Sequence, residues 1–245
     1  LLCSDLSSFP VARAVAASSA VPLVFHPVVL KRYGYCGVGS APFEDALAER
    51  AAGDAELALL LDGLGIYEAQ DDESFVHLVD GGITDNLGLR AIYEMFALAG
   101  SAPAFFTRLQ RDPPKRIVVI SVNASIRQVF PMNKSNRRPS VTETMLAMSD
   151  LQLRRYDATT QNLIKSSLIR WTDELSSEGH SVKSWFIELD FNDVEDAAVR
   201  EQLNAIPTTM TLSDEQVDLL IQTGQEILSL NENYQAVLQD MQSRE

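Results

Sequence analysis

Asp80 is the residue whose type and setting best suit it to chemistry. It opens the segment Asp80-Gly81-Gly82-Ile83-Thr84-Asp85-Asn86-Leu87-Gly88 and follows the apolar run Phe75-Val76-His77-Leu78-Val79, which reads as a short strand. Open α/β sheets build their sites at the carboxyl ends of strands. A carboxylate held there can accept or orient the proton of a serine hydroxyl. The glycine pair lets the chain turn sharply and lets a substrate or another backbone come close. The competing structural reading is an Asp-Gly-Gly turn whose carboxylate serves only backbone amides. Asp85 and Asn86 read as turn and N-cap residues of the helix that follows.

Other candidate groups carry less. Ser18 and Ser19 lie in Ala14-Val15-Ala16-Ala17-Ser18-Ser19-Ala20-Val21-Pro22-Leu23-Val24-Phe25. Neither stands in a Gly-x-Ser-x-Gly elbow, which strains a nucleophilic serine on a strand-to-helix turn, so this segment reads as a tightly packed helix end. No such elbow occurs in the chain; the nearest string, Gly37-Val38-Gly39-Ser40-Ala41, places its serine wrongly and has no strand before it. His26, His77 and His180 are the only histidines. A Ser-His-Asp esterase would take His26 or His77 as its base, but His77 alternates away from the Asp80 side of its strand. Cys3 and Cys36 show no metal-ligand spacing and make no disulfide framework. Asp71-Asp72-Glu73 does not match a calcium loop and reads as a solvated turn. Lys134 to Arg138 reads as a basic surface loop that could touch lipid phosphates.

Two ordered segments carry a resemblance. Ala-Ser-Ser-Ala-Val-Pro-Leu-Val-Phe (residues 17–25), followed by Asp-Gly-Gly-Ile-Thr-Asp-Asn-Leu-Gly (residues 80–88), is similar to the patatin-like phospholipase family. The stretch Ile206-Pro207-Thr208-Thr209-Met210-Thr211-Leu212-Ser213 resembles bacterial members. The resemblance implies a three-layer α/β/α domain with a mainly parallel sheet, and a Ser-Asp dyad that hydrolyses lipid acyl esters through an acyl-serine. It places Asp80 as the dyad aspartate and Gly81 and Gly82 as the turn that shapes the site. The family's serine elbow and its Gly-rich oxyanion loop, whose donors are each worth about 3–4 kcal/mol, precede the Ala-Ser-Ser-Ala segment. Residues 1–245 are therefore expected to be the C-terminal portion of one such domain, with the nucleophile outside them. The expected substrate is a lipid or phospholipid ester, with membrane-surface contact open, no cofactor and no metal. The alternative from another class is a non-catalytic acidic α/β binding or scaffold module.

Composition frames these readings. The chain has 245 residues, 46% hydrophobic and 22% charged, enough apolar mass for a sizeable core. A net charge of -14 repels phosphate backbones, so nucleic acid is not an expected partner, and it offers no electrostatic attraction to anionic headgroups, so membrane contact is expected to need apolar insertion or a segment outside residues 1–245. No stretch approaches the ~20 apolar residues of a membrane span.

The elements that must position Asp80 follow from periodicity. Pro10 to Ala20 reads as a helix capped by Ser7 or Ser8, with Pro10 in its first turn and Pro22 as its stop. Leu23 to Leu30 reads as a strand, Tyr33 to Pro42 as a loop and Phe43 to Leu64 as a helix. Asn86 is expected to start a helix that runs to about Leu98, closed by Gly100, Ser101 and Pro103, with a polar connector over residues 108–115. Arg116 to Val122 is the strongest strand, read as parallel and covered on both faces. Val141 to Ile169 reads as a long helix and Val182 to Phe191 as a strand. In the tail, Ser213-Asp214-Glu215-Gln216 matches a capping box, and Val217, Leu220, Ile221, Ile227, Leu228, Tyr234, Leu238 and Met241 share one stripe. No internal repeat and no evident linker divide the chain. Purified residues 1–245 are expected to show no ester turnover; robust turnover indifferent to substitution of Asp80 in a colorimetric ester assay would contradict the dyad.

Overall fold

The computed structural model describes residues 6–21, 25–31, 47–68, 75–126, 131–177, 179–207, 209 and 211–243. Cys3, Cys36, the loop at 33–42, the acidic run at 71–73, and Pro22, Leu23, Val24, Thr208 and Met210 of the motif stretches lie outside them. The chain forms a mixed α/β structure, and its contacts divide it into two compact units, Leu1–Arg111 and Asp112–Glu245.

In the first unit, helix α1 (Val11–Ser18) begins at Pro10, which has no side-chain cap; Ser7 and Ser8 sit instead in a short 3-10 turn. Strand β1 (Val28–Lys31) pairs antiparallel with β2 (Phe75–Leu78), Val28 opposite Leu78 and Lys31 opposite Phe75. The helix expected over residues 43–64 is divided. Residues 47–51 are helical, and a turn at Ala52-Gly53-Asp54 interrupts before α2 (Ala55–Glu68). The Asp54 carboxylate accepts from the Glu56 and Leu57 amides at 3.1 and 3.0 Å, so an acid capable of N-capping outweighs continuous helix periodicity.

Helix α3 (Leu89–Ala99) ends at Gly100, whose φ of 108° suits glycine. Arg50 donates to the Ala97 carbonyl at 2.7 Å, satisfying one of the open carbonyls of that last turn. Gly100, Ser101 and Pro103 do more than close α3: the Ser101 hydroxyl accepts from the Ala104 amide at 3.3 Å and Pro103 lies in the first turn of a further helix, α4 (Ala102–Arg108). Phe96 of α3 stacks on Phe105 of α4 with centroids 4.3 Å apart.

In the second unit, β3 (Arg116–Asn123) and β4 (Lys183–Asp190) form a parallel pair, from Arg116 beside Lys183 to Asn123 beside Asp190. Between them runs α5 (Val141–Leu175), a single helix of 35 residues. Its capping box is complete: Ser140 serves the Glu143 amide and Glu143 serves the Ser140 amide. Three helices follow: α6 (Ala197–Ala205), α7 (Asp214–Leu230) and α8 (Glu232–Gln242). The tail stripe is thus split. Asn231 ends α7, and its side chain both caps α8 at Tyr234 (3.1 Å) and donates to the Glu188 carbonyl (3.2 Å). Val217, Ile221 and Met241 of the stripe are exposed.

The sheet faces differ. Ile187 and Leu189 of β4 join Val194, Leu203, Ile206, Ile227 and Val237 in the main core. On the other face, Lys165 of α5 lies over the Phe186 ring and pairs with Glu188 at 2.7 Å. Val119 and Ser121 of β3 are buried on that same face. The expectation of cover on both faces fails for β3: Val118, Ile120 and Val122 are 38%, 50% and 66% exposed. The core helices gather over β4, and among the described residues the strands make two separate two-stranded sheets, one antiparallel and one parallel, instead of one mainly parallel sheet.

Asp240 of α8 clamps the start of the parallel pair. It accepts from Arg116 Nε at 2.5 Å and from Lys183 Nζ, the two residues that stand side by side as the first pair of the register. The Lys183 ammonium, and after it the Arg116 guanidinium, hold its carboxyl down to about 2. The folded value lies below the unfolded one, near 3.9. The stabilisation is therefore complete above about pH 4 and is lost as pH falls towards 2. Asp240→Asn is expected to lower stability at neutral pH, and its deficit relative to the native chain should shrink between about pH 4 and 2, as read by urea unfolding across that range.

Candidate active site

The two motif segments meet. The Asp80 amide donates to the Ala20 carbonyl at 3.0 Å, just beyond the C-terminus of α1. Ala17 and Ala20 are buried at this junction, 6% and 2% exposed, so the small residues of the Ala-Ser-Ser-Ala segment are what let the backbones approach. A methyl group added at Gly81 would come 3.5 Å from Ser18 Oγ, which places that hydroxyl against the turn. Ser18 itself is exposed, in keeping with a helix end.

β2 delivers Asp80 in extended conformation (φ −51°, ψ 129°), and a 3-10 turn over Gly81–Ile83 follows immediately. Asp80 Oδ1 accepts from the Gly82 amide at 2.7 Å. The capping role weighed against catalysis is therefore real for one oxygen. Oδ2 has no hydrogen-bond partner among the described residues, and the side chain is half-buried. A carboxylate anchored through one oxygen and open at the other can orient a hydroxyl without losing its own position. Gly82 is required by closeness: a Cβ there would sit 2.8 Å from Asp80 Oδ1 and 3.3 Å from Asn86 Oδ1.

Beyond the turn, Asp85 is structural, as expected. Its Oδ1 accepts from the Leu89 amide and its Oδ2 from the Ala91 amide, both at 3.1 Å, so it caps α3. The N-cap position itself is Gly88, whose φ of 67° is left-handed; Asn86, expected to begin the helix, lies in the turn before it. Arg90 of α3 pairs with Glu56 of α2, and Tyr93 donates its hydroxyl to Asp54 Oδ2 at 3.1 Å. Burial pushes the Glu94 carboxyl up; Arg90 opposes this and the neighbouring Asp85 and Glu56 add to it. These contacts hold α3, and with it the far side of the turn, against α2.

His26 and His77 are exposed. His180 belongs to the second unit, in a turn with Ser177, and its Nε2 is buried without a partner among the described residues. Neither His26 nor His77 has a hydrogen bond to Asp80 among the described residues. No group of three or more His, Cys, Asp or Glu suited to a metal ion occurs among the described residues. The contribution of the Ala20 carbonyl was not visible in residue types, because it is a backbone atom; the only sequence signal was the run of small residues around it. Comparison with protein-family models, with curated proteins and with solved structures finds no match to the chain.

Gly82→Ala is expected to expel the Asp80 carboxylate from its bond to residue 82 and lower stability by about 1–2 kcal/mol. The measurement is chemical denaturation together with faster exchange of the residue 82 amide; an unchanged exchange rate would mean that the turn tolerates a side chain there.

Proposed function

We propose that Asp80 is the aspartate of a Ser-Asp dyad in a patatin-like lipid acyl hydrolase. The observation that carries this reading is the junction itself. The Asp80 amide is bonded to Ala20, at the end of the Ala-Ser-Ser-Ala segment, and its carboxylate, at the end of a strand, keeps one oxygen without a partner among the described residues. In this reading residues 1–245 are the C-terminal portion of a three-layer α/β/α domain, and the nucleophilic serine comes from outside them. The substrate is a fatty-acyl ester of a phospholipid or neutral lipid.

The residues present would act as follows. Asp80 Oδ2 takes up the proton of the serine hydroxyl as its oxygen attacks the ester carbonyl, and returns it to the departing alcohol. Water then attacks the acyl-serine by the same proton path and releases the fatty acid. Oδ1, held by Gly82, keeps the carboxylate from swinging away between the two half-reactions. Gly82, lacking a side chain, lets the carboxylate fold back on its amide and so sets the position of Oδ2.

The bond from Gly82 also favours a second reading, a purely structural Asp-Gly-Gly turn in an acidic binding module. One substitution separates the two. Asp80→Asn keeps an acceptor oxygen for Gly82 but removes the proton acceptor. In the full-length protein it is expected to cut ester hydrolysis by about 10²–10⁴-fold, the usual contribution of a positioned base, with the melting temperature nearly unchanged. Near-native hydrolysis in that variant would sink the dyad.

A further inference from the structure

The acidity of this protein is unevenly spread. Residues 131–155 carry five cations (Lys134, Arg137, Arg138, Arg154 and Arg155) against two acids (Glu143 and Asp150), in a chain of net charge -14. Both acids are already occupied: Glu143 pairs with Arg137 at 2.6 Å and Asp150 with Arg154 at 2.9 Å. Lys134, Arg138 and Arg155 are exposed and have no ion-pair partner among the described residues.

The same segment opens α5 with apolar residues that face water. Val141, Met145 and Met148 are 76%, 64% and 58% exposed. At 3.6 residues per turn they fall within about 60° of one another on the helix surface, and Arg155 continues the line two turns on. The stripe is turned away from the side that buries Ile164 and Trp171 further along α5. Glu143 and Asp150 lie on the opposite side of the helix from it. An apolar stripe edged by unpaired cations, with its acids turned away and neutralised, is the pattern of a helix that lies in a bilayer interface.

We propose that the first turns of α5 and the basic segment ahead of them dock on an anionic lipid surface. Methionine suits this task, since its flexible thioether adapts to disordered acyl chains. Arg138 and Lys134 meet the headgroups at the N-terminal end and Arg155 does so further along. A nucleic acid would engage the cations but leave the apolar stripe in water, so the lipid surface accounts for both halves of the pattern. The attraction is local and holds despite the net charge of the whole chain, because screening over roughly 8–10 Å separates the patch from remote acids. Docking of this kind does not depend on the hydrolase reading, and it is measured without turnover.

The experiment is vesicle flotation of the 245-residue chain, comparing phosphatidylcholine vesicles with mixed phosphatidylcholine–phosphatidylglycerol vesicles. The chain is expected to float with the mixed vesicles and much less with the neutral ones. Lys134→Glu with Arg138→Glu should weaken that binding by about 25-fold or more, at roughly fivefold for each lost cation. Met145→Ser with Met148→Ser should weaken it by about tenfold. Arg111→Glu with Lys115→Glu makes the same charge change at exposed sites elsewhere and should alter it less than about twofold. Circular dichroism of each variant confirms that α5 persists, as expected for exposed positions. Equal flotation with both vesicle types, equal loss in the control pair, or retention by duplex DNA in place of anionic vesicles would each overturn the proposal.

Discussion

The bond from the Asp80 amide to the Ala20 carbonyl is the constraint on which the candidate site rests. Its net worth is modest, about 1 kcal/mol, but its positional effect is larger. It ties the end of α1 to the end of β2, segments separated by some sixty residues of chain, and so fixes where the carboxylate begins. Everything near it follows from that anchoring. Gly81 lies alongside the Ser18 hydroxyl, and Gly82 must lack a side chain because the carboxylate folds back on its amide. Asp85 can then start α3 in the available direction.

How much of this was legible in the sequence depends on what kind of signal each part left. β3 stood out as an apolar β-branched run, and the observed limits of β3 and β4 agree with the reading to within a residue or two. The capping box of α7 was equally plain, because its chemistry resides in side chains three residues apart; the same signal at Ser140 and Glu143, which opens α5, was passed over. α4 was hidden by its own cap: Gly-Ser-Ala-Pro ends one helix and begins the next, and the packing of Phe105 and Phe106 on Phe96 holds the second in place. The division before α2 and the break at Asn231 share one cause. A residue that caps a helix is compatible with either continuation or a restart, and bonds made elsewhere, such as the one from Asn231 to Glu188, select the restart.

At the candidate site the legible part was chemical and the illegible part was spatial. Asp80, Gly81 and Gly82 were identifiable by type and order. That one carboxylate oxygen would be committed to the turn and the other left open was not, since both alternatives obey the same Asp-Gly-Gly signature. Net charge is coarse in a related way. A total of -14 describes the chain as a whole, whereas pairing within residues 131–155 leaves three cations unopposed on one short stretch of surface.

The parallel register of β3 and β4 has a consequence for how the chain emerges from the ribosome. Arg116 finds its neighbour at Lys183, 67 residues later, and the whole of α5 must be made before the pairing can begin. At about 5–20 residues per second, β3 waits roughly 3–13 s with Ile117 to Val122 unpaired. The intervening helix can form at once, since its bonds are local. Synthesis therefore presents a finished helix carrying an unsatisfied apolar strand at its base. The Asp240 clamp on that pair closes later still, since Asp240 follows Lys183 by 57 residues.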